Sequence, residues 1–280
     1  MGFYSVSQLV QDARRHGINV FPVNINRSNY ENSLELDKKG NRGIRLGFTT
    51  VKSLNAHEAQ SIETVREDKP FESLKDFTRR TSMSESNIEC LASADAFREI
   101  VGNRFQSRWA ASALMPHSEL LETGEGNFDE LLMSGPSLEE NVMEDYSSIG
   151  LTLRTHPMQI LRAELPFKKC KRFTDLSGLR AGQFVRIAGI VTGKQRPGTA
   201  SGVMFMSLED ETGTSNVVIW KATQETFRKE ILTGKLLIIK GTVDIATEDV
   251  SVPIVHVIAG HIQDVTARLN NFALKSRDFH

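Results

Sequence analysis

Lys194 and Arg196 stand two positions apart, ahead of Pro197-Gly198-Thr199-Ala200, and the rings of Phe205 and Trp220 follow within apolar, β-branched runs. Cations so spaced can meet neighbouring phosphates, and flat rings can stack on bases, a contact worth about 1–3 kcal/mol per base. Arg186 and Lys221 are further cations beside the same runs. Phe205 and Trp220 read equally as core, because successive strand residues point to opposite faces. Metal or acid–base chemistry has less to stand on. Glu209-Asp210-Glu211-Thr212-Gly213 has the composition of a turn between strands. No Asp-x-Asp pair occurs, so the paired carboxylates of a two-metal phosphoryl transfer are missing, and no His-x-His occurs either. The 7 histidines show no ligand spacing, and His156 before Pro157 reads as a helix cap. Cys90 and Cys170 form no Cys-x-x-Cys, which leaves neither a zinc ribbon nor a disulfide framework.

The elements that must position these residues follow from periodicity. A period of two sets in at Gln183 and predicts strands over 184–191, 203–208, 215–220, 236–243 and 254–262, with a helix over 223–232 after the third. The order β-β-β-α-β-β is that of the five-stranded oligonucleotide-binding (OB) barrel, whose first loop and strands 2–3 form the oligonucleotide face. Upstream the chain reads as short helices. Asn55, Ser73, Ser84 and Asn103 stand where caps belong, Ser137-x-x-Glu140 has the form of a capping box, and Pro157 suits a first turn. Residues 5–16 read as a helix, residues 19–26 as extended chain with Pro22 suited to an edge, and residues 37–43 as a turn. Arg79, Arg80, Arg104 and Arg108 form either a phosphate-facing surface or a solvated basic face.

The 280 residues carry 34 Lys+Arg against 35 Asp+Glu, a net −1 that conceals a pattern. Residues 1–115 hold 16 basic and 14 acidic side chains, residues 116–150 none and 9, and residues 151–280 hold 18 and 12. The basic C-terminal part invites a polyanion. No apolar run reaches the roughly 18 residues of a membrane span, and the N-terminus lacks a secretory pattern, so a cytoplasmic protein with no membrane partner is expected.

Four stretches carry a resemblance to the C-terminal part of bacterial error-prone DNA polymerases, C-family enzymes (DnaE-like, ImuC-type) related to the DNA polymerase III α subunit. They are Gly2–Ser28, Gly43–Phe97, Glu144–Leu165 and Arg186–Trp220, with Ser276–His280 at the end. The resemblance implies an α+β multidomain chain, a helical helix-hairpin-helix module followed by a five-stranded OB-fold barrel. Its parts are 1–42, the end of a fingers-like region; 43–115, the helix-hairpin-helix module; 116–136, an acidic linker; 137–180, connecting helices; 181–266, the OB domain; and 267–280, a tail. It implies contacts to primer–template duplex and single-stranded template DNA by Lys52, Arg186, Lys194, Arg196, Phe205, Trp220 and Lys221. The helix-hairpin-helix motif binds duplex backbone through main-chain N–H groups in a glycine-rich hairpin. Here Ser53 and Asn55 stand where glycines are expected. The palm with its catalytic aspartates and the PHP domain lie upstream in the family, so this chain is expected to be inactive alone. It is expected to carry no cofactor, Mg2+ belonging to the full-length polymerase in damage-induced, translesion synthesis. Asn127–Leu132 in the acidic stretch is a candidate docking peptide for a sliding clamp or for other mutagenesis-complex proteins. A stand-alone single-strand-binding OB module and a protein-interaction module are the alternatives.

Overall fold

Local capping chemistry sets most of the helix starts in the N-terminal half. The Asn55 side chain accepts from the N–H groups of His57 and Glu58, Ser73 accepts from Asp76, and Ser137 and Glu140 form the reciprocal capping box. The computed structural model describes residues 6–37, 39–114, 135–197, 202–246 and 254–269. The chain divides into two compact units, Met1–Arg154 and Thr155–His280.

The first unit opens with α1 (Val6–Arg15) and a small sheet. β1 (Asn19–Phe21) lies parallel to β3 (Arg42–Arg45), and β2 (Ser33–Leu36) antiparallel to it, in the order β1-β3-β2. β2 has no counterpart in the sequence reading, and β3 begins inside the turn expected over 37–43 and runs on to Arg45, where short helices were expected. Strands of four residues are too short to print a period-two pattern. After a 3₁₀ turn at Phe48–Thr50 come α2 (Ala56–Asp68), α3 (Leu74–Thr81), α4 (Glu85–Ser93), α5 (Arg104–Ala113) and α6 (Leu138–Ser148). Ser84 precedes α4 without capping it, because its hydroxyl is engaged with the Glu58 carboxylate. Phe77 packs edge to face on Phe71 and Phe97, with centroids 4.9 and 5.1 Å apart, inside a core that includes Phe48, Ile62 and Leu91.

A charged network lies under this core. Arg104 is 0% exposed and pairs with Asp145 at 2.5 Å, while its Nε and Nη1 find no partner. Asp145 also accepts from Thr152 and Arg154, and Arg154 reaches Asp95 at 2.7 Å. Burial raises the Asp95 carboxyl above the usual aspartate range, against the pull of Arg104, Arg154 and Arg98.

The second unit begins with α7 (Pro157–Leu161), whose Met158 N–H donates to the His156 ring, and α8 (Phe173–Leu176). β4 (Phe184–Gln195), β5 (Met204–Glu209) and β6 (Thr214–Ile219) lead into α9 (Lys221–Thr226) and α10 (Arg228–Thr233). β7 (Leu236–Ala246) and β8 (Ile254–Asp264) close a barrel in the order β4-β5-β6-β8-β7. Alternation turns Val185, Ile187, Met206, Leu208, Val217 and Ile239 into the core. On the outside one row runs Gln195, Phe205, Val218, Ile258, Thr242, Phe184. It starts and ends on β4 at different heights, which is the stagger that tilted strands need to close a barrel.

The helix expected over 223–232 breaks at Phe227 into two, and the first strand runs on to Gln195. The linker 116–136 lies outside the described residues except for its last two, as do the candidate docking peptide 127–132 and the tail beyond Leu269. Among the described residues no helix is long and apolar enough to cross a membrane. Cys90 and Cys170 are free, and burial pushes both thiols above their usual range.

Candidate nucleic-acid interface

Where β4 ends, β5 begins and α9 follows β6, the second unit gathers positive charge. Trp220 is the N-cap residue of α9, so Lys221 opens that helix. The Gln224 side chain, one turn on, is buried and donates to the carbonyls of Gly202 and Ile219 at 2.8 Å each. Its own oxygen accepts from the Arg196 guanidinium, which is thereby fixed over the mouth of the barrel. Arg196, Lys221 and Arg228 line one cavity of about 580 Å³ together with one acid, Glu225, and Met204, Ile231 and Leu232 form its apolar wall. Lys194 reaches the rim, where Nζ donates to the Leu232 carbonyl at 3.3 Å. No ion pair is formed by any of these four cations among the described residues. Three cations against the one Glu225 carboxylate leave the lining net positive, a field that attracts anions such as phosphate.

Of the expected residues, Lys194, Arg196 and Lys221 therefore come together, with Lys194 on β4 rather than in the following loop. Gly198–Ala200 of that loop lie outside the described residues. Phe205 is not core: it is half-buried on the outer face of β5, opposite Gln195 and Val218. Trp220 is not core either, being 52% exposed because the chain leaves the sheet just before it. Arg186 is not among the cavity residues and stands opposite Lys240 on β7. Arg228 and Gln224 were missed, although Lys221-x-x-Gln224-x-x-x-Arg228 is helical spacing.

The helical unit offers less. Lys52 is exposed, but its Nζ donates to the Tyr146 carbonyl at 2.5 Å, at the C-terminal, negative end of α6. In the hairpin before α2, the N–H groups of Lys52, Asn55, His57 and Glu58 are taken by Ser148, Asn87 and Asn55. Ser53 adopts φ +62°, the left-handed backbone for which glycine is the natural residue. We expect Ser53→Val to lower the stability of this unit by about 1–2 kcal/mol. Ser53→Gly is expected to be neutral or slightly stabilising. Urea denaturation followed at Trp109 of α5 checks both, and equal midpoints for the two variants would contradict the strain. The proposed basic surface is corrected too. Arg104 is buried, Arg108 binds Glu144 and Ser93, and Arg80 binds Asp76 and lies over the Phe71 ring. Arg79 alone of the four stays largely exposed.

The acidic triplet is a structural turn. Asp210 accepts from the N–H groups of Thr212 and Gly213, and Arg162 pairs with Asp210 and Glu211. Arg172 adds a second cation at Glu211. Among the described residues no three His, Cys, Asp or Glu side chains are grouped to hold a metal ion.

Residues 17–107 match a helix-hairpin-helix motif family, and residues 185–265 match a family of OB-fold nucleic acid binding domains. An error-prone DNA polymerase of Teredinibacter turnerae is 48% identical over 286 residues, covering 100% of this chain and 28% of that protein. The error-prone DNA polymerase of Saccharophagus degradans is 46% identical, covering 100% of this chain and 27% of its own length. The chain thus spans just over a quarter of the curated relatives it matches. Among solved structures, asparaginyl-tRNA synthetase from Pyrococcus horikoshii is 23% identical, covering 34% of this chain and 22% of that one, with a TM-score of 0.29. The chain is accordingly a relative of the error-prone DNA polymerases, homologous along its whole length to one segment of such a protein.

Proposed function

We propose that this chain is the DNA-holding C-terminal portion of an error-prone DNA polymerase, serving synthesis across damaged template and contributing no catalytic group of its own. The barrel holds single-stranded template. Lys194, Arg196, Lys221 and Arg228 neutralise its phosphates, and Trp220 and Phe205 offer rings to bases near the mouth. The observation that carries this reading is the convergence of Arg196, Lys221 and Arg228 on one cavity that holds a single acid, Glu225, with Lys194 at its rim and none of the four cations ion-paired among the described residues. The Mg2+ that phosphoryl transfer uses does not fit the described residues, since no three candidate ligands are grouped among them and Asp210 and Glu211 are already held by Arg162 and Arg172.

The triple variant Lys194→Ala, Arg196→Ala, Lys221→Ala is expected to bind single-stranded DNA at least about tenfold more weakly. Three fewer phosphate contacts should also flatten the log–log salt dependence by about 2. Fluorescence anisotropy of a labelled oligonucleotide, titrated at several salt concentrations, measures both. Unchanged affinity and slope would refute the site.

One observation favours a second reading, in which the helical unit is scaffold and the barrel alone grips nucleic acid. Lys52, Arg80, Arg104 and Arg108 are all engaged within their own unit. In that case primer–template junctions bind no more tightly than single strands of equal length.

A further inference from the structure

The outer face of β4, β7 and β8 carries a second arrangement that the cavity at the barrel mouth does not use. Arg186 lies directly opposite Lys240, and Lys240 directly opposite His261. Like charges directly opposite each other destabilise a sheet. Neither Arg186 nor Lys240 has an acidic partner or a side-chain hydrogen bond among the described residues. Two residues before Arg186 on the same face stands Phe184, 66% exposed. Phe227, at the joint of α9 and α10, meets the His261 ring edge-on with centroids 5.0 Å apart. Two grooves, of about 310 and 770 Å³, share Lys240 and His261. The smaller contains Phe184 and no acid; the larger contains Phe227 and the acids Glu230 and Asp264, the latter accepting hydrogen bonds from Thr266. Gly260, exposed between them, adds no side chain to the floor.

We infer that this face is a second path for single-stranded nucleic acid, with Arg186 and Lys240 on phosphates and Phe184 and the Phe227–His261 pair on bases. An anion relieves the uncompensated cation pair, and the rings beside it suit a ligand that alternates charge with flat apolar surface. The path is continuous with the first site through one helix pair. Lys221 and Arg228 of α9 and α10 line the cavity at the mouth, while Phe227 and Lys229 line the larger groove. A strand leaving the mouth crosses the joint between these helices and enters this face. The inference rests on the barrel's reading as a nucleic-acid binder.

The test uses the full chain and two labelled oligothymidylates, of about 5 and about 16 nucleotides, the span of sites on single OB folds. Arg186→Ala with Lys240→Ala should weaken the long oligonucleotide at least about tenfold and flatten its salt slope by about 1.4, two single-strand phosphates' worth. The short one should change by less than about twofold, since the mouth alone accommodates it. In a Phe184→Trp variant the long oligonucleotide should quench the added emission and the short one should not. A long oligonucleotide that binds the double variant with wild-type affinity and slope overturns the second path, as does absence of quenching at position 184. If the mouth variant keeps both oligonucleotides while the double variant loses the long one, the mouth reading falls and this path stands.

Discussion

Arg104→Ala is expected to destabilise the helical unit by about 3–5 kcal/mol, the cost of leaving a buried charge without its partner. The argument starts from position. Arg104 is the first residue of α5, held at the helix start by the Asn103 cap and fully buried. Its guanidinium is the 2.5 Å partner of Asp145, which is itself 6% exposed. With the arginine gone, Asp145 keeps only Thr152 and a 3.3 Å contact to Arg154. A domain of this size has only about 5–15 kcal/mol to lose. The chain's 2 tryptophans, Trp109 in α5 and Trp220 at the barrel, fall one to each unit. Urea denaturation of a Trp220→Phe background therefore reports on the helical unit alone. Replacing the pair together, Arg104→Met with Asp145→Leu, should recover a large part of the loss, because well-packed apolar residues often replace a buried ion pair without penalty. A loss below about 1 kcal/mol for Arg104→Ala would show that the network carries no such weight.

The second large effect is in the barrel. Gly241→Ala should cost about 3 kcal/mol or more, at the upper end of overpacking penalties. A Cβ at Gly241 would lie 2.0 Å from the Ile258 carbonyl oxygen and 2.9 Å from its carbon. Those are backbone atoms of the paired strand, next to the register shift between Lys240 and Gly241, so relief requires moving the β7–β8 ladder itself. Gly260→Ala is the matched control. Its Cβ would meet nothing nearer than the Lys240 carbonyl oxygen at 3.6 Å, an ordinary contact, and a change within about 0.5 kcal/mol is expected. Trp220 emission in a Trp109→Phe background measures both variants, and equal midpoints for the two would refute the clash.

What could be read from the sequence was what is decided locally. The Asn55, Ser73 and Ser137 caps and the Pro157 first turn depend on residues within four positions of one another, and they stand where the pattern puts them. The barrel strands were legible because inward Val, Ile and Leu recur at every second position over six or more residues. Long-range choices left no such trace. Arg104 meets Asp145 41 positions away, and nothing beside Arg104 distinguishes it from a surface arginine. Trp220 read as strand because its neighbours are β-branched, yet the backbone turns into α9 there and carries the ring outside. Lys194, Arg196 and Lys221 were legible as cations near one loop. Their convergence with Arg228 depended on the break at Phe227 and on Gln224 holding Arg196, which are properties of the folded barrel.

The upward push on the thiols of half-buried Cys90 and buried Cys170 has a practical corollary. Only thiolate reacts quickly with maleimides. A cysteine engineered at an open position, such as Gly260 or Arg79, should outpace both native sulfurs in conjugation. Dyes can then be attached in pairs, one on each half of the polypeptide, without first removing the natural cysteines.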